Sequence, residues 1–520
     1  MGARDTTKPI DTVVICASGK GTRLMPLTKH IPKYLVNPDN FNILTHIVNY
    51  WASYTEHIAV IIEEKYTAIT EYYLNQLGVS YTIIHVNIDQ QGNAYTLYTG
   101  LKDIYDHQRV LITWCDIFPA KPIPESAFTG TVIFTHGNEC RYNIKEGLIA
   151  EQAGGNIIGI YYFDDFVKMN YMNESEDIIN VLQRYHPVVG SYEIEELVDV
   201  GDMTKLVNYE HKNSSLYDTR YYNKITPVGI NLLKKESAHP IGDDIIRGEI
   251  NFYKSIQQYK LACFPKIYEF GDTHFIMEKI DGAVLKTLNI DMYLENYIET
   301  LKGLHGTSTL EVSRETLVRD LSLEFNIKIK EHVAHTKVLA DQFRFIRRVN
   351  GTPILLSDIT YAIDDLYERI EKELLVPGKN VYDYALIHAD AHFSNTMVDS
   401  GKIVFIDPYG RFGDSMVHGS AYFDYCLILF SLTGFDKFSA WKQYHFDIEG
   451  DNLLLNIDIQ DLDKYRPILE KHGINWNICI CMCILHWLKF TYYTSNHILK
   501  SVAAYYHGMY LYHRYILESK

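Results

Sequence analysis

The 520-residue chain predicts an α/β fold: a doubly wound domain over residues 1–212, then a two-lobed α+β domain over 213–520. Three observations carry that expectation. Through the first 210 residues, short apolar runs alternate with helical stretches of about ten residues, the texture of β-α-β units. A polar stretch over 208–223, centred on Lys212-Asn213-Ser214-Ser215, reads as a linker. Beyond it comes a small strand-rich part, and from Met292 onward the periodicity is mostly helical. Composition supports a globular enzyme-sized chain, with 47% hydrophobic and 22% charged residues. A net charge of −16 makes general binding to nucleic acid or anionic membrane unfavourable and leaves room only for a local phosphate pocket.

The elements follow in order. Residues 13–16 form an apolar strand that ends in a Gly-rich turn. Strands are expected at 58–62, 81–86, 110–114, 131–134 and 157–162, with helices at 66–77 and 94–104. Short buried strands with helices between them imply parallel pairing, and ligands then sit at the carboxyl ends of the strands. In the second half, 225–233 reads as a strand, 245–256 as a helix, 275–277 as a short strand, and 385–407 as a strand pair. The longest apolar run, 478–488, is interrupted by His486 and falls short of the ~20 residues of a membrane helix. Residues 1–10 lack an apolar stretch, and Met1-Gly2 with Thr6 spells an acylation pattern that reads as chance. Eight cysteines are too few for a disulfide framework and suit a reducing cytoplasm.

The first chemical constellation is Ala17-Ser18-Gly19-Lys20-Gly21-Thr22-Arg23-Leu24, then Pro26-Leu27-Thr28, then Pro32-Lys33-Tyr34-Leu35-Val36. Gly19 and Gly21 let backbone N–H groups approach a triphosphate. Arg23 offers a planar fork for phosphate oxygens, and Lys33 a point charge. This string resembles the signature of the sugar-phosphate and phosphocholine nucleotidyltransferases, over about residues 11–210. The resemblance implies a Rossmann-like domain in which Ala17, Gly19, Gly21, Thr22 and Arg23 bind nucleotide and Arg23 and Lys33 act in catalysis. It also implies Mg²⁺ on two carboxylates. Asp116, ending the run 110–116, fits the first, with Cys115 where the family has Gly. Asp199 in Val198-Asp199-Val200-Gly201-Asp202 fits the second, with Asp202 in place of Thr; its other reading is a cap for a helix at 203–207. Gly92-Asn93-Ala94 resembles the loop beside the nucleotide base, or else Asn93 caps a helix.

The second constellation is Leu386-Ile387-His388-Ala389-Asp390-Ala391-His392-Phe393-Ser394-Asn395, followed by Val404-Phe405-Ile406-Asp407-Pro408. Phosphoryl transfer from ATP to a hydroxyl needs one carboxylate for the proton, and an amide oxygen and a second carboxylate for Mg²⁺. Asp390, Asn395 and Asp407 supply these in register. Over about residues 220–520 this half resembles the aminoglycoside phosphotransferase and choline kinase family, with Ala389 for the usual Gly. A protein-kinase-like domain is implied. Its strand lysine is Lys235, with Lys234 as the alternative, and its helix glutamate is Glu249. Residues 275–280 resemble the hinge strand, which places Glu278 and Ile280 beside adenine. Leu304-His305 recurs in the family and receives no catalytic role.

Cys479, Cys481 and Cys483 lie in an apolar run without paired C-x₂-C spacing and read as buried thiols rather than a zinc site. His486 reads as a core histidine, and the tyrosines from Tyr492 onward as helix packing. The combined expectation is a bifunctional cytoplasmic enzyme requiring Mg²⁺. It phosphorylates a small alcohol with ATP, then transfers a nucleotidyl group from CTP or UTP to the new phosphate. The sugar, polyol or amino alcohol remains open. The alternative is an active N-terminal enzyme whose second domain only binds ATP or a partner, or works on an unrelated substrate.

Overall fold

The computed structural model describes residues 8–86, 97, 101, 104, 106–167, 178–186, 189–213, 222–354, 359–439, 445–457 and 459–518. The chain separates into two compact units, Met1–Ser214 and Ser215–Lys520.

In the first unit β1 (Thr12–Cys16), α1 (Ile43–Trp51), β2 (His57–Ile62), α2 (Thr67–Leu74), β3 (Ser80–His85) and β4 (Val110–Trp114) follow the expected alternation. β1 is buried along its whole length, as a central parallel strand covered on both faces must be. It pairs in parallel with β2 on one side and β4 on the other. Chain order reverses at β1, which makes the carboxyl ends of β1 and β4 a switch-point crevice. Most of the helix expected over 94–104 lies outside the described residues, as does Gly92. Leu97, Leu101 and Ile104 are buried in the core under the sheet, and the Leu101 N–H donates to Leu97 O at 2.8 Å.

All-parallel pairing does not extend beyond β4. After β5 (Ile117–Pro119), the expected short strands at 131–134 and 157–162 are limbs of one long antiparallel hairpin, β6 (Val132–Lys145) and β7 (Leu148–Phe163). Its polar middle carries no apolar run, so pairing rather than burial sustains it. The two-residue turn Glu146-Gly147 has φ of 52° and 78°, the left-handed pair that matches strand twist. β7 lies antiparallel to β4, and the seven strands run β3-β2-β1-β4-β7-β6-β8. α3 (Ile178–Tyr185), β8 (Gly190–Glu193), β9 (Leu197–Asp199) and α4 (Met203–Asn213) complete the unit. The stretch read as a linker from residue 208 therefore starts inside a helix.

The second unit opens with β10 (Asn223–Pro227), β11 (Leu232–Ser237), α5 (Pro240–Ile256), β12 (Ile267–Phe270) and β13 (His274–Glu278). The four strands form an antiparallel sheet ordered β10-β11-β13-β12. The single strand expected at 225–233 is thus a hairpin. Val228 and Ile230, apolar in sequence, are exposed in its turn, Ile230 at 88%, and Gly229 has φ 73°. α5 starts earlier than expected because Pro240 occupies its first position and the His239 ring accepts from the Ile241 N–H. Glu249 consequently lies mid-helix.

The remainder is mostly helical, including Tyr422–Leu432 and Trp476–Tyr493. The strand pair expected near 385–407 is the hairpin Thr396–Asp399 and Lys402–Phe405; Val381–Leu386 belongs to a different sheet. Cys479, Cys481 and Cys483 are buried in helix Trp476–Tyr493, and burial raises all three thiol pKa values. Among the described residues no helix is long and apolar enough to cross a membrane.

Produced separately as residues 1–212 and 213–520, each unit is expected to unfold in a single cooperative step. A fragment that keeps far-ultraviolet but loses near-ultraviolet circular dichroism would show that the division is wrong.

Candidate functional site

In the first unit the Gly-rich run leaves the end of β1. The Ala17 N–H donates to Ile61 O at 3.0 Å, so Ala17 continues the sheet and its own amide faces no ligand. Gly21 has φ 63°, and a Cβ there would meet Thr28 Cγ2 at 2.9 Å and Lys33 Cβ at 3.1 Å. Glycine at 21 is required both by conformation and by close approach. At Gly19 a Cβ would meet nothing within 4 Å, so that glycine is not required by packing. Thr28 Oγ1 donates to Gly21 O at 2.8 Å and pins the loop to the next turn. Thr22 and Arg23 follow on the exposed side.

Asp116 and Asp199 are brought together by β5 and β9. Their antiparallel register sets Ile117 opposite Asp199, and the Val200 N–H donates to Asp116 O at 3.0 Å. Both carboxylates converge over Gly201: a Cβ there would lie 2.7 Å from Asp116 Oδ2, 3.0 Å from Asp199 Oδ1 and 3.6 Å from Arg23 Nη2. Lys33, 8% exposed, is ion-paired to Asp116. Arg23 Nη2 stands 3.8 Å from Asp116 Oδ2 with its side chain 68% exposed. Lys205 Nζ lies 2.5 Å from Asp199 Oδ2.

Two of these residues escaped sequence reasoning. Gly201 is needed because the carboxylates leave no room for a side chain, a fact invisible without the β5–β9 register. Lys205 follows Asp199 by six positions, on the first turn of α4, and no local pattern marks it. The cap of α4 is Asp202, whose Oδ1 accepts from the Lys205 N–H at 3.0 Å. Asp199 therefore does not cap this helix; its Oδ1 accepts from the Gly201 N–H at 2.8 Å.

In the second unit Lys235, on β11, is 1% exposed. Its Nζ lies 2.8 Å from both carboxylate oxygens of Glu249 and 2.9 Å from Asp407 Oδ1. Burial disfavours the ammonium, but the Asp407 and Glu249 carboxylates outweigh it and hold the Lys235 pKa above its ordinary value. Burial, together with Asp407 and Asp390, pushes the Glu249 carboxyl up to about 7 against the pull of Lys235. Lys234 faces the other way and pairs with Glu236 at 2.7 Å. Glu278 ends β13, and its Oε2 accepts from the Lys266 N–H at 3.2 Å; Ile280 follows, half-buried.

Asn395 Nδ2 donates to Asp390 O at 3.0 Å and to Asp390 Oδ2 at 2.9 Å, tying the two residues together. His388 accepts from the Asp390 N–H at Nδ1 and donates from Nε2 to Ile406 O at 2.9 Å, lacing this loop to the strand end before Asp407. Ala389 and Asp407 both have left-handed φ, 66° and 57°. The loop hangs from Asp424, which has no exposed surface. Its oxygens accept from the N–H groups of His388 at 3.0 Å and Ala389 at 2.6 Å, and from His305 Nε2 at 2.9 Å. Asp424 also escaped sequence reasoning. Its signal was a lone carboxylate in the apolar run Tyr422–Leu432. His305 contacts the same carboxylate that holds the loop.

Both centres offer donors for Mg²⁺. Among the described residues no three acidic, histidine or cysteine side chains form a ready cage. Mg²⁺ typically takes one or two carboxylates plus phosphate oxygens and water. Asp116 and Asp199, converging on a point that a Cβ would fill, fit that demand. So do Asp407 and Asn395, where two carboxylates, Glu249 and Asp407, meet the single ammonium of Lys235.

Residues 12–131 match the family described as nucleotidyl transferase. The chain is 36% identical over 109 residues to the UTP–glucose-1-phosphate uridylyltransferase AglF of Haloferax volcanii, which covers 21% of this chain and 44% of that protein. It is 28% identical over 108 residues to the CTP:phosphoglutamine cytidylyltransferase of Campylobacter jejuni, covering 20% and 43%. The chain thus spans less than half the length of these relatives. Among solved structures, the CTP:phosphocholine cytidylyltransferase LicC of Streptococcus pneumoniae aligns at 18% identity and a TM-score of 0.34, covering 39% of this chain and 100% of that one. The inositol-1-phosphate CTP transferase of T. maritima aligns at 16% identity and a TM-score of 0.33, covering 40% and 98%.

Gly201→Ala is expected to lower nucleotidyl transfer by about 10² through displaced carboxylates, with little change in Tm. Near-normal turnover in steady-state assays would show that the convergence over Gly201 is not used. Asp424→Ala leaves two buried N–H groups unanswered and is expected to destabilise the second unit by about 3 kcal/mol in urea unfolding. A loss under about 1 kcal/mol would show that the loop does not depend on this carboxylate.

Proposed function

We propose, from the match of residues 12–131 to the nucleotidyl transferase family, that the chain is a bifunctional transferase with one centre in each unit. The second unit phosphorylates a small-molecule alcohol with ATP. The first unit transfers a nucleotidyl group from CTP or UTP to the resulting phosphate and releases pyrophosphate. The observation that carries this reading is the opposite charge balance of the two centres. Asp116 pairs with Lys33 and stands near the exposed Arg23, and Asp199 pairs with Lys205, so cationic groups adjoin both carboxylates where an anionic triphosphate and phosphate monoester would bind. Around Lys235 the carboxylates dominate, an excess suited to a metal–ATP complex.

In the first centre, backbone groups of 18–21 and the exposed Arg23 fork hold the triphosphate at the carboxyl end of β1. Lys33, fixed by Asp116, brings positive charge to the monoester. The monoester oxygen attacks the α-phosphorus in line, so no protein nucleophile is required and positioning supplies the rate. Mg²⁺ held by Asp116 and Asp199 would neutralise the crowded phosphate oxygens. The relatives named for UTP with glucose-1-phosphate and for CTP with phosphoglutamine support nucleotidyl transfer to a phosphorylated small molecule.

In the second centre, Asp390 takes the hydroxyl proton while Asn395 holds its carboxylate in place. Lys235, oriented by Glu249, binds ATP phosphates, and Asp407 with Asn395 would hold Mg²⁺ against them. Residues 278–280, at the end of β13, would meet adenine. The product of this centre is a phosphate monoester, the nucleophile that the first centre requires.

Asp390→Asn keeps the side chain's size but removes the base. It is expected to slow phosphorylation by roughly 10² or more while leaving ATP binding little changed. From the free alcohol, this variant should give no nucleotidyl product; from the phosphorylated alcohol, it should give the normal amount. Asp116→Ala should do the reverse and let the monoester accumulate. Mass spectrometry of both reactions checks the pattern. A monoester that no common nucleoside triphosphate converts would refute sequential action.

A further inference from the structure

With Asp390 read as the group that meets the acceptor hydroxyl, the side chains around it determine which acceptor fits, and the choice of acceptor rests on that reading. A series of side-chain and backbone contacts leads away from Asp390 and back to its loop. His392 Nε2 lies 3.7 Å from Asp390 Oδ1. Phenylalanine rings carry the contact from His392 to His486, on helix Trp476–Tyr493. One helical turn on, Lys489 Nζ lies 3.0 Å from Glu324 Oε2. The other oxygen of that carboxylate, Oε1, is 3.5 Å from Lys328 Nζ. Lys328 stands over the Tyr409 ring at 5.9 Å, and the Tyr409 N–H donates to His388 O at 3.0 Å, two residues before Asp390.

The far part of this series carries an uneven charge. One carboxylate is shared by two ammonium groups, so one positive charge is left over. Glu324 is 4% and Lys489 8% exposed, so water screens the pair poorly. His486 adds no charge, because burial and then the two lysines hold its pKa far below the ordinary value. Its Nε2 is buried without a hydrogen-bond partner. Glu324 also stands in a π-helical turn, Leu323–Ile327, a conformation that recurs at functional sites.

We propose that the alcohol phosphorylated by the second unit is a hydroxy acid whose carboxylate binds between Lys489 and Lys328 while its hydroxyl faces Asp390. A monoanionic carboxylate matches the single excess charge. Choline and other cationic alcohols would meet the lysines unfavourably. In the transfer, the hydroxyl oxygen bonds to the γ-phosphorus of ATP as the bond to the β–γ bridging oxygen breaks. The hydroxyl proton goes to Asp390 and ADP leaves.

The test measures ADP release and phosphorylated product with Mg²⁺–ATP and matched acceptors: glycerate against glycerol, gluconate against glucitol, and choline. The acids are expected to exceed their neutral partners in kcat/KM by about 10² or more, since a site built for a polar group rejects the analogue lacking it. Lys489→Met should erase most of that preference by raising KM for the acid, with KM for ATP unchanged, and Lys489→Arg should restore part of it. Should Lys489→Met fail to fold, Lys328→Met, on a half-buried side chain, should weaken the same preference. Equal or better turnover of glycerol, glucitol or choline would overturn the hydroxy-acid proposal while leaving the kinase reading intact. Absence of transfer to every acceptor would overturn the kinase reading and this proposal with it.

Discussion

An ionised side chain taken out of water must be met by opposite charge or by hydrogen-bond donors, at a cost of several kcal/mol per ion if it is not. Both units arrange their elements around that requirement. Lys235 is almost wholly buried, so α5 and the loop after Phe405 must each deliver a carboxylate to it. Asp424 is wholly buried, so the loop before Asp390 must turn two N–H groups and a helix its histidine toward it. In the first unit Asp116 is buried against Lys33, which brings the Pro32-Lys33 turn beneath the end of β4.

This constraint also shapes chemistry. Lys33 and Lys205 pair with Asp116 and Asp199, and Arg23 beside them remains exposed. Excess carboxylate around Lys235 leaves a place for a cation, and the raised Glu249 pKa reports the same surplus, set first by burial and then by its acidic neighbours. Near them, one buried carboxylate, Glu324, is shared by two ammonium groups, Lys328 and Lys489.

Much of the candidate site was legible because its residues are adjacent in the chain. Gly21 and Lys33 lie within the one segment between β1 and α1, and Asp390 and Asn395 share one loop, so short-range spacing carries them. Lys205 was not legible, because its meeting with Asp199 depends on where α4 begins, which Asp202 sets. Asp424 was visible only as an oddity, a carboxylate in an apolar helix, until the N–H groups it serves were placed. Hairpins were misread for a related reason. The middle of β6 and β7 is polar, and the turn after β10 is apolar but exposed, so hydropathy pointed the wrong way in both.

Local sequence by itself determined the Gly-rich turn after β1, the alternation of β1 through β4, and the Asp390–Asn395 loop, because steric demands and periodicity act within a few residues. Tertiary structure alone decided that β7 runs antiparallel to β4 and that the register of β5 on β9 sets Asp116 over Gly201 beside Asp199. It alone also decided that Lys235 rather than Lys234 turns inward to Glu249 and Asp407. Strand side chains alternate faces, so one residue of register decides between core and solvent, and register is fixed by partners far away in the chain.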